Sequence, residues 1–239
     1  MDKESGLAVR KLLGVATMIT LVCLGVMPRA AVGESFSGGG GPLLLGAFLD
    51  LSELEQSLQG IVKIQGDFNL GENQSLFLLR GGGGFGGSTL RLGGMGMEGS
   101  WTFPVLGESA FDRVALTLGG GGFLMDRLIA ETDQGGVSLG ILIGGGEWRL
   151  HLSKSAQGSF GEVIRQPVSL ELHRSFWFAS PYLSAEFRML DFVGLRVGAG
   201  VWATLSFDDW NVQNGPPAAG GPLRNVIFPA LQFMVVFGG

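Results

Sequence analysis

Two histidines, His151 and His173, are all the imidazole this sequence holds, and each has a carboxylate close by in the chain, Glu147 and Glu171. In EWRLHL, Glu147, Arg149 and His151 alternate with Trp148, Leu150 and Leu152, and in SLELHRS, Ser169, Glu171 and His173 share one row. Successive side chains of a strand point to opposite faces, so two adjacent strands would bring these rows together. Imidazole nitrogens and carboxylate oxygens are a donor set for a transition metal. The same rows also read as an ordinary polar sheet face with cross-strand ion pairs, and that reading is preferred. A second group, Asp208, Asp209 and Trp210, offers oxygen ligands for Ca²⁺ and an aromatic platform for a sugar, against a solvated loop with an interfacial tryptophan as the simpler account.

The stretch RGGGGFGGSTLRLGGMGMEGSW, from Arg80 to Trp101, holds Gly82, Gly84 and Gly87 in the spacing G-x-G-x-x-G. A dinucleotide fingerprint needs a helix to begin at the last glycine and aim its amides at a pyrophosphate. STLRLGG follows instead, which reads as a strand. No lysine follows Gly86, so a phosphate loop fails as well, and no serine stands in a G-x-S-x-G elbow. Catalytic, cofactor-binding and metal-binding residues are therefore each assigned as none, and the chain reads as non-enzymatic. The glycines read as structural: a hairpin turning at 86 to 88, with one nearly bare face against which another element or subunit can lie.

The elements that carry these residues are predominantly strands, because the apolar segments are short, glycine-punctuated and often alternating. In YLSAEFRM, 182 to 189, Leu183, Ala185, Phe187 and Met189 oppose Tyr182, Ser184, Glu186 and Arg188. After a tight LDF turn, VGLRVGAGVWATL, 193 to 205, repeats the pattern, with Leu195, Val197, Ala199, Val201 and Ala203 on the apolar side, so the two segments pair as a hairpin. Further strands are expected at about 75 to 84, 88 to 97, 113 to 122, 137 to 150, 167 to 178 and 225 to 237, which makes eight. Pro229 in the last cannot donate a ladder hydrogen bond and predicts an edge or a bulge. Two short helices are expected: one after Ser52, capped by that residue with Glu55 completing a capping box and Gly60 ending it, and a weaker one at 123 to 130. Residues 206 to 224 read as a long loop. The glycine runs at 38, 81, 119 and 144 are too unevenly spaced for a solenoid and fit strands that end in glycine.

Lys3, Arg10 and Lys11 precede an uncharged apolar run from Leu12 to Met27, with Ala31 and Gly33 ahead of Glu34. That is the layout of a signal peptide over residues 1–33, with cleavage expected before Glu34 and a single domain over 34–239. Cys23, the one cysteine, lies in that leader, so the exported domain is expected to fold without disulfides. Four of the sixteen Lys and Arg and two of the twenty-one Asp and Glu also lie there, leaving 12 against 19 and a net charge of −7. That balance, without any basic run, argues against a nucleic-acid partner.

The leader, the hairpin SPYLSAEFRMLDFVGLRVGAGVWATL and the closing IFPALQFMVVFGG together resemble small outer-membrane β-barrel proteins, most strongly over residues 167 to 239. The glycine-rich part, from LDLSELEQSLQG to LGILIGGG, looks like uncharacterised exported bacterial proteins. Two features depart from the barrel pattern: the ending Phe-Gly-Gly, and turns at 179 to 181 and 190 to 192 that are both short, where such barrels alternate short and long. The resemblance implies a mainly β fold, antiparallel, of about eight strands closed into a barrel, located in the outer membrane, with apolar rows facing lipid and Arg, Glu, Ser and Gly inside. The implied role is that of a cell-envelope protein, structural or adhesive. The alternative is a soluble exported α+β or β-sandwich domain, periplasmic or extracellular, whose apolar rows form a core and which serves as a binding or self-assembly module. An exposed apolar row also leaves self-association open. No small-molecule ligand is legible.

Overall fold

The computed structural model describes residues 38–58, 61, 74–105, 111–132, 135–154, 168–213 and 215–238, and among these are nine strands, most of them marked by alternating side chains, and one helix. The long strands are β1 (Gly38–Asp50), β2 (Gln74–Gly86), β3 (Leu90–Pro104), β4 (Arg113–Thr132), β5 (Gly135–Lys154), β6 (Val168–Leu190), β7 (Val193–Leu205) and β9 (Ile227–Gly238). The helix α1 spans Ser52–Leu58, and β8 is the two residues Asn211–Val212. Each long strand pairs antiparallel with its neighbour in sequence, and β9 pairs with both β7 and β1, so the sheet closes into an eight-stranded barrel. The expected leader and its cleavage site lie outside the described residues.

The register gives the shape. Stepping from partner to partner, Gly40, Gly84, Gly94, Phe123, Ile143, Ala179, Ala203 and Ile227 follow one another around the barrel. Gly40 itself pairs with Phe237 of β9, so one circuit is displaced by ten residues, from 237 to 227. With eight strands about 4.8 Å apart and about 3.3 Å per residue, that shear inclines the strands by about 40° to the axis.

The connections sort by length. Residues 87–89, 133–134 and 191–192 link strands at one end, where β1 starts and β9 finishes. Residues 51–73, 105–112, 155–167 and 206–226 link them at the other. The expected departure from short-long alternation is thus overturned. It came from dividing β6 at Pro181: the ladder to β5 runs straight through Ile141↔Pro181, while the ladder to β7 skips from Ala179↔Ala203 to Tyr182↔Gly200, and that gap accommodates the missing donor. The segments 167 to 178 and 182 to 189 are one strand of 23 residues.

Four further expectations change. Residues 123 to 130 are strand, with Phe123 and Met125 exposed and Leu124 and Asp126 buried, a period of two and not of 3.6. β1 was not expected, because GGGGPLLLGAFLD is apolar on both faces and carries no alternation; the merged β6 and the added β1 leave the total at eight long strands. Pro229 lies on no edge; the β1 ladder ends at Ala230, one residue away, while β7 pairs past it. At α1 the capping side chain is that of Asp50 and not of Ser52: its Oδ1 accepts from Ser52 N at 2.9 Å, and Leu51 O takes the first helical bond from Glu55 N, while Gly60, expected to end the helix, lies outside the described residues.

The interior is largely apolar through the loop half of the barrel. Phe178 stacks on Trp202 at 4.3 Å, Trp202 on Phe228 at 5.9 Å, and Phe176 lies 5.6 Å from Trp148. This adds an aromatic core to the expected filling of Arg, Glu, Ser and Gly: the cluster of buried charges lies near the turns, inward glycines lie mid-barrel, and Arg174 is buried at the loop end. The outer rows are the ones read as apolar: Leu183, Phe187, Met189, Val201, Leu231, Phe233 and Phe237 are 41–68% exposed, whereas Ser184, Glu186, Arg196 and Gln232 are buried.

The run at 38 does stand at the end of β1, but those at 119 and 144 lie mid-strand, and the glycines of β2 to β5 lie side by side, with Gly82↔Gly96, Gly96↔Gly121 and Gly121↔Gly145. Inward-facing Gly144 has no room for a side chain, since a Cβ would stand 2.2 Å from Gly121 O, whereas a Cβ on its outward neighbour Gly145 would meet nothing closer than Phe176 O at 3.5 Å. Gly144→Ala is expected to destabilise the barrel by about 1–3 kcal/mol, the cost of overpacking, and Gly145→Ala to stay within about 0.5 kcal/mol of wild type. Urea midpoints of the two variants check this; equal midpoints would contradict it.

Candidate functional site at the loop end of the barrel

Arg174 organises the loop end. It faces inward on β6, is fully buried, and its guanidinium donates to four backbone carbonyls of the 206–226 connection: Asp208 O at 3.0 Å, Gly220 O at 3.0 Å, Gly221 O at 3.3 Å and Pro222 O at 2.8 Å. The carbonyls converge because Gly220 (φ 78°), Gly221 (φ 85°) and Leu223 (φ 62°) are left-handed, which curls the chain around the fork of donors. Leucine is rarely held there, and its burial in the core offsets that strain. Trp210 lies 5.6 Å from Arg174, is buried, and donates from Nε1 to Pro222 O at 3.0 Å.

The acidic pair of the sequence is therefore divided. Asp208 contributes its backbone carbonyl, while Asp209 Oδ1 accepts from Gly220 N at 3.1 Å and stands 3.9 Å from Arg174. Trp210 is neither a sugar platform nor an interfacial residue, because its ring is inside. The loop is fastened, with β8 pairing to β6 and Trp210 bridging to Ala218.

Between this loop and α1 lies a pocket of about 210 Å³. Leu54 and Leu58 of α1, Leu150 and Leu152 of β5, Leu172 of β6 and Trp210 are among its walls. Its described lining carries no titratable side chain, so what it offers is a recess for an apolar group and not acid-base chemistry.

The histidine rows do come together, on the outside. His151 pairs with Glu171 and Arg149 with His173 across β5 and β6, all facing outward near the loop end. Arg149 Nε donates to Glu147, and Glu98 lies 4.0 Å from Arg149. Among the described residues no group of three or more His, Asp or Glu is placed to hold a metal. Gly82 and Gly84 are inside strand β2 and Gly87 (φ 121°) makes the turn to β3, so no helix begins at the fingerprint spacing.

Sequence reasoning expected Arg and Glu inside the barrel but did not bring together the four buried charges near the turns. Arg196 donates to Asp126, to Glu186 at 3.1 Å and to Tyr182 at 3.3 Å, and Arg91 donates to Glu186 at 2.6 Å. The Phe85 ring lies 5.1 Å from Arg91 and 5.0 Å from Arg196. Glu186 stood on a row already read as polar and Arg196 opposite the apolar row that starts at Leu195; Asp126 was hidden by its placement in a helix.

No family model matches this chain, and no curated protein does. Among solved structures it is similar to Ail, the attachment invasion locus protein of Yersinia pestis, crystallised in complex with the heparin analogue sucrose octasulfate. The two share 10% identity over 84% of this chain and 98% of that chain, with a TM-score of 0.42, a likeness that assigns no role.

Proposed function

We propose that this chain is a non-enzymatic β-barrel of an outer membrane, with a structural or adhesive role carried by its loop end. The observation that carries the reading is the exposed apolar exterior. On β9 the outward row from Ile227 to Phe237 rises about 25 Å at the tilt set by the register, the height of the apolar band of a membrane barrel. Water-soluble proteins rarely expose so large a contiguous apolar surface. The segregation of short turns from long connections supports the same placement, with the loop end outward. An eight-stranded barrel whose lumen is filled by aromatic and charged side chains is no porin, so function falls to the loops.

The test is electrophoresis of washed membranes in SDS, unheated against boiled. The expected result is retention with the membranes through high salt and a mobility shift on boiling. Recovery in the soluble fraction as a detergent-free protein would overturn the proposal in favour of an exported soluble module.

A further inference from the structure

We propose that the outer face of β2, β3 and β4 is the surface on which two copies of this chain pair in the membrane, an inference that rests on the membrane reading above.

The outward glycines are the first observation. Inward ones are demanded by the barrel itself: a Cβ on Gly81 would lie 1.8 Å from Gly96 O, and one on Gly93 2.0 Å from Gly84 O. Outward Gly94 and Gly96 of β3 are different, because a Cβ there meets nothing nearer than 3.6 and 3.9 Å. Glycine in a strand forgoes packing and costs entropy, so bareness that the chain's own packing does not require needs a cause outside it. A flat strip of backbone lets a second backbone approach closely, as small residues do between membrane helices.

Charge identifies the occupant, and it is the independent observation. Arg80 and Glu98 are cross-strand partners on β2 and β3, both exposed and both facing outward at the margin of this strip. On β2, exposed Leu78 lies nearer the loops than Arg80, and Arg80's partner on β1 is exposed Leu44, so Arg80 stands inside the apolar band and not above it. Among the described residues no carboxylate stands within ion-pair distance of Arg80, and Glu98 reaches only Arg149, at 4.0 Å. A charge on the lipid face is costly unless it is paired. One positive and one negative residue side by side form a self-complementary set: under a two-fold axis through the strip, Arg80 of each copy meets Glu98 of the other. An anionic lipid headgroup would satisfy Arg80 but leave Glu98 facing like charge, so a second copy fits better.

The experiment is sedimentation of the full chain in detergent micelles, each variant first checked for the heat-dependent mobility of a folded barrel. Wild type is expected to be dimeric. Arg80→Glu and Glu98→Arg should each weaken the dimer by about tenfold or more, as like charges then face one another, and the double variant Arg80→Glu/Glu98→Arg should restore it. Gly96→Leu should yield a folded monomer, while Ala199→Leu on the opposite side of the barrel should leave the dimer unchanged. A folded wild type that is monomeric throughout would sink this proposal and leave the membrane reading intact; so would a double variant as weak as the single ones, or a monomer whose co-purifying lipid phosphate is lost on Arg80→Glu. Recovery of the chain as a soluble protein without detergent would end both.

Discussion

Arg196→Met is expected to lower the unfolding free energy of the barrel by about 3–5 kcal/mol, the range for removing one partner from a buried ion pair. The physical cause is local. Near the turns, two guanidinium groups, Arg91 and Arg196, balance two carboxylates, Asp126 and Glu186, with all four side chains at least 90% buried. Without Arg196, Asp126 keeps only the Tyr182 hydroxyl, at 3.2 Å, and one buried carboxylate has no countercharge. Methionine replaces much of the packing volume, so the loss reports charge and not a cavity. The double variant Asp126→Asn/Arg196→Met retains the Arg91 to Glu186 pair and is expected to recover most of the loss, because it removes both members of one pair. Urea unfolding followed by tryptophan fluorescence in lipid vesicles measures both; a single variant within about 1 kcal/mol of wild type would show the cluster to be energetically idle.

Arg174→Ala should act at the other end and in a different way. Hydrogen bonds to a charged donor contribute about 1.5–3 kcal/mol each in favourable cases, and four carbonyls share this one guanidinium. Because the acceptors are backbone groups of one connection, the expected failure is local: the 206–226 loop leaves the mouth, Trp210 becomes solvent-exposed, and the eight-stranded ladder stays. Protease added to intact cells should cut the variant within 206–226 and spare wild type, while the heat-dependent mobility shift persists. Arg174→Lys should be cut as well, since a single ammonium cannot hold a planar fan of acceptors. If both variants resist protease, the loop is fastened by Trp210 and β8 alone.

Much of the barrel was legible along the chain. The rows beginning at Leu195 and Ile227 are apolar on one side over a whole strand, that beginning at Leu183 over the turn-side part of β6, and a period of two needs no tertiary information to be recognised. The hairpin from 182 to 205 followed from the same period and the tight LDF turn. β1 was illegible because apolar residues on both faces erase the period, and a strand with an apolar outer row and an apolar inner row has no polar face to mark it. Asp126 could not be recognised as part of a buried cluster, since Arg91 and Glu186 are 35 and 60 positions away in the chain and meet it only when β3, β4 and β6 close around one lumen.

What the sequence determined by itself is the set of alternating rows, and hence the existence of an antiparallel sheet with one continuous apolar side. Which side faces out was decided only by tertiary structure. A row of Leu, Val and Phe is equally content against lipid or against a core, because both remove it from water. The register of ten residues per circuit closed the sheet with those rows outward, and in doing so placed Arg174 under its loop, the four buried charges together, and Arg80 beside Glu98 on the bare glycine face.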